Sequence, residues 1–256
     1  MSQALPSPVI HQKPTMYDLP SESPSDPGLP DEFHIYQPQL LIQTCRPVTY
    51  LPQQVFMATD MNLYYDLEHL KWYKRPDWFI VVGGSRFYQG RDLRQSYVIW
   101  DENISPLLVV ELLSEGTEDE DLGRTVRKLG HPPTKWQVYE QILKIPYYVT
   151  FDERNSEFRK FRLIGGKYQE LPLTERRLWL EELGIGLGVW QGEYQGIEAT
   201  WLRWYEASGN WIPTTEEDLV EERAKVEQER AKVEQEREKV EILKAQLRAL
   251  GIEPEF

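Results

Sequence analysis

Short runs of hydrophobic residues, separated by polar turns, predict a chain rich in β-strands. Residues 55–65, 78–82 and 97–100 each have the apolar pattern of a strand. Residues 107–113, with the sequence LLVVELL, are almost uniformly apolar, which is typical of a strand that is covered on both faces. We therefore expect this last strand near the centre of a sheet.

Two helices are predicted, one before and one after these strands. Thr134 opens a T-x-x-Q capping box, and the helix that it begins should run to about residue 144, ahead of Pro146. A shorter helix is predicted over residues 31–41, where Pro38 should break it.

The predicted domain ends in further strands. Residues 147–151 predict one strand, and residues 157–163 and 167–171, joined by a glycine pair, predict a hairpin. The order of strands, helix, strand and hairpin indicates an α/β or α+β sheet with helices on at least one face. Because helices do not alternate regularly with strands, and neither GxGxxG nor GxxxxGK[ST] occurs, we do not expect a doubly wound nucleotide-binding fold.

The two ends of the chain differ in composition from its middle. Residues 1–30 are rich in proline, serine and acidic residues, and we expect them to form an N-terminal arm. Residues 31–212 carry the strand and helix signals and predict the folded domain. Residues 213–256 are dominated by charged helix formers and predict a helical tail.

The tail repeats the seven-residue unit ERAKVEQ at residues 222–228 and 229–235. Apolar residues recur at every seventh position, whereas the other core position of the heptad is glutamate three times before it becomes leucine. The first set is Leu219, Val226, Val233, Val240 and Leu247, and the second is Glu222, Glu229, Glu236, Leu243 and Leu250. A weak coiled coil, which would allow a homodimer, and a solvated single helix are equally compatible with this pattern.

Composition narrows the range of functions. The chain has 256 residues and a formal net charge of −13, which excludes a polybasic protein that wraps nucleic acid. It has no apolar run long enough to span a membrane, and its first residues lack a signal-peptide pattern, so we expect a cytoplasmic protein without a membrane partner. Cys45 is the only cysteine and the four histidines are scattered, so any metal ligands should be carboxylates.

Glu111 gives the clearest chemical signal, because it interrupts the apolar run 107–113. A carboxylate buried in a central strand is strongly unfavourable unless something compensates it. Two interpretations are equally compatible with its position. Glu111 could be a ligand of a divalent metal ion, or a strand-end carboxylate that is paired with an arginine.

Asp77 follows Pro76 at the start of the predicted strand 78–82. If this strand and the one that carries Glu111 are antiparallel neighbours, the two carboxylates lie at the same end of the sheet. Two carboxylates there suit Mg²⁺ or Mn²⁺, which prefer oxygen ligands. Taken alone, an aspartate after a proline is more often a turn residue.

Lys135 shares a predicted helical stripe with Tyr139 and Ile142, on the face that should pack against the sheet. The alternative is a surface lysine that extends past Tyr139 into solvent. Together, Asp77, Glu111 and Lys135 form the set required for metal-assisted phosphodiester hydrolysis. Two carboxylates hold the metal ion that generates hydroxide, and a lysine orients the nucleophile or offsets charge on the phosphate.

Three segments also carry a family resemblance: RPDWFIVV at residues 75–82, PLLVVELLS at residues 106–114, and KWQVY followed by PYYVTFD. They resemble the Uma-two-like family of restriction endonucleases common in cyanobacteria, which belongs to the PD-(D/E)XK nuclease superfamily. The resemblance covers about residues 15–210. It implies a restriction-endonuclease-like mixed sheet with flanking helices, and an enzyme that cleaves double-stranded DNA with Mg²⁺ or Mn²⁺.

The resemblance also assigns roles to single residues. Asp77 matches the aspartate of the PD motif, and Glu111 matches the acidic residue of the third strand; both would bind the metal ion. The superfamily pattern places a lysine two residues after this acid, where the present chain has Leu113. Lys135 would then be the catalytic lysine, moved from the strand to a helix. Glu32 would correspond to the acid of the first helix.

Two other functions compete with a nuclease. A nuclease fold that has lost its activity could serve as a binding or assembly module through its helical tail, and the separation of Asp77, Glu111 and Lys135 distinguishes the two. A sugar or nucleotide hydrolase with paired carboxylates is disfavoured, because no aromatic groove of defined spacing is evident. The acidic run 115–121 is expected to be a solvated loop, and the tryptophans are expected to cap the sheet.

Overall fold

The computed structural model describes residues 13–15, 18, 31–114, 118–125, 130–172 and 175–249. The chain divides into two units, residues 1–212 and residues 213–256. Most of the expected N-terminal arm and the last seven residues of the expected tail lie outside the described residues.

The first unit consists mainly of β-strands with short helices between them. The strands are β1 (Val55–Thr59), β2 (Leu63–Tyr64), β3 (Tyr73–Lys74), β4 (Trp78–Val82), β5 (Tyr97–Val98), β6 (Leu108–Leu112), β7 (Tyr147–Asp152), β8 (Glu157–Ile164), β9 (Lys167–Glu170), β10 (Arg177–Leu180), β11 (Ile185–Tyr194) and β12 (Ile197–Tyr205). The helices are α1 (Phe33–Thr44), α2 (Ile99–Glu102), α3 (Glu118–Asp121) and α4 (Lys135–Gln137), together with a 3₁₀ turn (Pro52–Gln54) and a π-helical turn (Val138–Ile142).

A six-stranded sheet with the order β1–β4–β6–β7–β8–β9 organises this unit. The pair β6–β7 is parallel and the other neighbouring pairs are antiparallel, so the sheet is mixed. Two smaller sheets, β3–β2–β5 and β10–β11–β12, accompany it. The expected α/β architecture, a mixed sheet with flanking helices, is therefore confirmed.

Strand β6 lies in the middle of the large sheet, and all of its residues are buried. Because side chains alternate along a strand, Val110 packs into the hydrophobic cluster on one face, together with Leu41 of α1 and Leu187 of β11. Val109 packs into the cluster on the other face, together with Tyr139. The near-continuous apolar run is explained by this coverage of both faces.

Helix α1 continues through Pro38 and extends to Thr44, so the expected break at the proline is wrong. A proline removes one helical hydrogen bond, but tertiary contacts compensate for it. The side-chain amide of Gln37 donates to the carbonyl oxygen of Leu202 at 2.9 Å, and its oxygen accepts from the backbone N–H of Leu202 at 2.7 Å. Leu40 and Leu41, in the next turn of the same helix, are fully buried.

The expected strand over residues 55–65 is divided into β1 and β2, which belong to different sheets. The chain turns at Asp60, which has φ of +48°, and its carboxylate pairs with Arg75 at 2.6 Å. The expected strand over residues 97–100 is also shorter than predicted, because helix α2 begins at Ile99.

The predicted hairpin is confirmed as β8 and β9. Gly165 and Gly166 form its turn with φ of +60° and +80°, a conformation that favours glycine at both central positions. The small sheet β10–β11–β12 was not predicted as a set of strands. It covers the same face of the large sheet as α1, and Trp204 lies fully buried in that cluster.

The second unit contains helix α5, Thr215–Ala249, which has 35 residues. Its bounds match the expected tail helix over the described residues, and no residue of α5 is buried. Pairing into a coiled coil remains a prediction. Among the described residues, no helix is both long and apolar enough to cross a membrane.

Deletion of residues 215–256 should change the melting temperature of the remaining domain by no more than a few degrees, because α5 buries no side chain. Thermal unfolding followed by circular dichroism measures this. Leu202→Ala, at a fully buried position, provides the contrasting control and should cost about 2–5 kcal/mol. Unfolding of the truncated protein at ordinary temperature would contradict the expectation.

Candidate active site

The site begins with two acids on neighbouring strands. Strands β4 and β6 are antiparallel, and Trp78 pairs with Val110. One residue further out, Asp77 and Glu111 therefore lie opposite each other at one end of the sheet. The backbone N–H of Asp77 donates to Oε2 of Glu111 at 3.3 Å, and the N–H of Leu112 donates to Oδ2 of Asp77 at 2.6 Å.

A helix brings a lysine and a tyrosine to the same carboxylate. The Thr134 hydroxyl accepts from the backbone N–H of Gln137, which completes the predicted capping box and fixes the start of α4. Lys135 Nζ then lies 2.9 Å from Oε2 of Glu111, and the Tyr139 hydroxyl donates to Oε1 at 2.8 Å. The cation beside Glu111 is thus a lysine rather than the arginine of the alternative interpretation.

The predicted inward stripe of Lys135, Tyr139 and Ile142 is wrong in its last member. Ile142 is 46% exposed, whereas Leu143 is buried. The helix passes into a π-helical turn in which the N–H of Leu143 donates to the carbonyl oxygen of Val138 at 2.8 Å. A turn closed by an i→i+5 bond is one residue wider, which moves the buried position by one residue.

Asp121 is a site residue that the sequence analysis did not identify. It belongs to the acidic run that was expected to be solvated, but its side chain is 1% exposed, and Oδ1 lies 3.0 Å from Lys135 Nζ. The neighbouring Glu120 accepts from Lys74 Nζ at 2.9 Å and from the backbone N–H of Lys135 at 3.3 Å. No periodic signal distinguished these two acids from the others in the run, and Glu115 lies outside the described residues.

The acidic side chains around Lys135 carry more charge than the lysine can balance. Asp77, Glu111 and Asp121 carry three negative charges when all are ionised, against the one positive charge of Lys135. Burial raises the pKa of Glu111 well above its ordinary value, and the charges of Asp121 and Asp77 act in the same direction. Burial alone would lower the pKa of Lys135, but the surrounding carboxylates outweigh it and raise the pKa. The lysine is therefore held in its charged form.

The Tyr139 hydroxyl is held in its neutral, hydrogen-bond-donating form. Its pKa is raised by burial, and the charge of the Glu111 carboxylate raises it further. A neutral phenol can donate its proton to a carboxylate oxygen, whereas a phenolate cannot. Tyr139 thereby helps to fix the orientation of Glu111 through the oxygen that Lys135 does not contact.

Glu32 lies apart from these residues. It precedes the first residue of α1, and its carboxylate accepts from the Tyr36 hydroxyl at 3.1 Å. The structure gives no contact, within the described residues, between Glu32 and Asp77, Glu111 or Lys135. The start of α1 is nevertheless tied to the end of β6, because the ring of His34 hydrogen-bonds the carbonyl oxygen of Leu112 at 3.2 Å.

The donor set restricts which metal ion could bind. In the part of the chain that the structure describes, no group of three or more His, Cys, Asp or Glu side chains could hold a metal ion. Asp77 and Glu111 form a pair of carboxylates, and Asp77 is only partly buried. Such a pair fits Mg²⁺, which commonly takes one or two carboxylates and completes its coordination with water and phosphate oxygens.

An α/β fold with paired strand-end carboxylates and a partly buried lysine defines a candidate hydrolytic site. A comparison with family models matches residues 13–193 to the Uma2 family, described as "Putative restriction endonuclease". The match covers well over half of the chain, and the protein belongs to this family. The family indicates a nuclease with DNA as its substrate. A comparison with curated proteins gives no match.

Glu111→Gln should alter how stability depends on pH. Burial raises the pKa of Glu111 above the ordinary value of 4.5, so the folded state binds this proton more tightly than the unfolded chain. The contribution of Glu111 to stability is therefore greatest below pH 4.5 and declines as pH rises through the pKa of the folded state. Glutamine does not titrate, so the variant should gain stability relative to wild type between about pH 5 and pH 8.

Urea unfolding at the two pH values tests this expectation. A tenfold difference in proton affinity between the folded and unfolded states changes the free energy of unfolding by about 1.4 kcal/mol. Glu157→Gln removes an exposed carboxylate and is the matched control. Its free energy of unfolding should differ from that of the wild type by nearly the same amount at both pH values. A wild type that gained stability over Glu111→Gln as pH rises would contradict the direction assigned to Glu111.

Proposed function

We propose that the protein is an endonuclease of the PD-(D/E)XK type that hydrolyses phosphodiester bonds in double-stranded DNA with Mg²⁺ or Mn²⁺. The main support is the contact between Lys135 and Glu111, whose charged atoms lie 2.9 Å apart although the residues are separated by 24 positions. Leu113 occupies the position where the superfamily pattern has lysine, and its side chain is buried. In this proposal, Lys135 from the helix would take the role of the missing strand lysine.

Asp77 and Glu111 would hold the metal ion. When bound, the ion would supply a nucleophilic hydroxide at neutral pH and stabilise negative charge on the phosphate. The main-chain donors of Asp77 and Leu112 orient the two carboxylates, and the Tyr139 hydroxyl fixes the second oxygen of Glu111. These contacts hold both acids at one end of the sheet.

Lys135 would act on the substrate as a fixed positive charge. Its side chain is 17% exposed, and Glu111 and Asp121 each contact its ammonium group. A phosphate that gains charge in the transition state would be stabilised by this ammonium. We also propose, from the family resemblance, that Glu32 contributes an auxiliary acid from the start of α1.

Lys135→Ala should reduce metal-dependent cleavage of plasmid DNA on the order of 100-fold, because it removes an interaction that is strongest in the transition state. Asp77→Asn and Glu111→Gln should abolish cleavage. Lys144→Ala is the matched control, since Lys144 is an exposed lysine that follows the same helical segment, and it should cleave at the wild-type rate. Full activity of Lys135→Ala would contradict the assignment of the lysine.

Mg²⁺ should raise the melting temperature of the wild-type protein, because an ion that binds only the folded state stabilises it by mass action. Asp77→Asn should lose this rise, whereas Asp119→Asn, at an exposed acid, should keep it. Thermal unfolding at increasing Mg²⁺ concentration measures the effect. An unchanged wild type, together with a marked loss of stability in Glu111→Ala, would favour the alternative of a binding or assembly protein.

A further inference from the structure

We propose that Asp121 is a positioning residue of this site, which holds the ammonium group of Lys135 in place through a direct ion pair. The inference rests on the proposed nuclease function and extends it to a residue outside the superfamily motif. Asp121 would not touch DNA or the metal ion, and would act through Lys135.

The contact geometry is the first support. Lys135 Nζ lies between two acids, 2.9 Å from Oε2 of Glu111 and 3.0 Å from Oδ1 of Asp121. The Asp121 side chain is 1% exposed, and a buried carboxylate is unfavourable without a cation beside it. Lys135 provides that cation, so the two side chains depend on each other.

The second support is the anchoring of helix α3, which carries Asp121. The Tyr148 hydroxyl, on the buried strand β7, donates to the carbonyl oxygen of Asp121 at 2.9 Å. Glu120 is held by Lys74 Nζ at 2.9 Å and by the backbone N–H of Lys135 at 3.3 Å. The main chain at Asp121 is therefore tied to the sheet, and the neighbouring Glu120 is tied to the start of α4.

A glycine permits this close packing. Gly123 has φ of +69°, and a Cβ atom at this position would lie 2.8 Å from the ring of Trp136, the residue after Lys135. Such a contact is too short for a side chain, so the segment after α3 can approach α4 closely only with glycine here. The chain thus brings Asp121 to Lys135 at a defined distance.

The proposed metal binding explains why Lys135 would need a second acid, Asp121, in addition to Glu111. Glu111 is also a proposed metal ligand, and a carboxylate that shares its charge with a metal ion attracts a neighbouring ammonium less strongly. Lysine has a flexible four-carbon stem and does not keep one orientation without a partner. Asp121 is in α3 and not on the strands of the two proposed metal ligands. It would keep Lys135 in place while Glu111 binds the metal ion.

Cleavage kinetics test this role with four variants of the full chain: Asp121→Asn, Lys135→Met, the double variant and Asp119→Asn. We expect Asp121→Asn to lower kcat by about tenfold or more while KM stays within about twofold. The exposed control Asp119→Asn should match wild type. In the Lys135→Met background, Asp121→Asn should cause no further loss, because its effect passes through the lysine.

Unfolding by urea, without DNA or metal, tests the ion pair independently of activity. Each single substitution should lower the urea midpoint, and the double variant should lose less than the sum of the two shifts. A wild type that cleaves no DNA would refute the proposed function, whereas the midpoints would still decide whether Asp121 holds Lys135. Additive shifts, or an unchanged kcat in an active Asp121→Asn enzyme, would overturn the inference.

Discussion

The cost of burying the Glu111 carboxylate in a central strand constrains the parts of the protein around it. A charge at this position needs several donors, and they come from two segments that are far apart in the sequence. Lys135 and Tyr139 approach from the helical segment, and the backbone N–H of Asp77 approaches from the neighbouring strand. The capping box, the strand register and the docking of α3 are all coupled to this one side chain.

The alternation of side chains along β6 gives the two faces of the sheet different roles. Val110 faces α1 and the small sheet β10–β11–β12, which contribute hydrophobic side chains to the cluster around it. Glu111 faces the helical segment on the other side, where Val109 and Tyr139 pack. A shift of β6 by one residue would exchange these faces and bury the carboxylate among aliphatic side chains. The chemistry of the site therefore depends on the same register that forms the core.

The excess of negative charge links the structure to the proposed activity. Glu111 and Asp121 contact Lys135 directly, the charge of Asp77 also acts on this lysine, and burial raises the pKa of Glu111. A protein selected only for stability would gain by replacing such a buried cluster with hydrophobic residues. Several acids around a single ammonium fit the proposed site, in which a metal cation would offset their charge.

The sequence alone predicted those elements whose own residues carry a recognisable pattern. The apolar run of β6, the glycine turn between β8 and β9, the capping box at Thr134 and the long helix α5 were all evident from the sequence, as was Glu111, because a carboxylate stands out in an apolar strand. Tertiary structure decided the rest. Pro38 lies within a continuous helix because Gln37 hydrogen-bonds Leu202, and Asp121 became a partner of Lys135 because α3 docks on a distant strand. Such contacts join segments far apart in the chain, so neither spacing nor periodicity along the sequence encodes them.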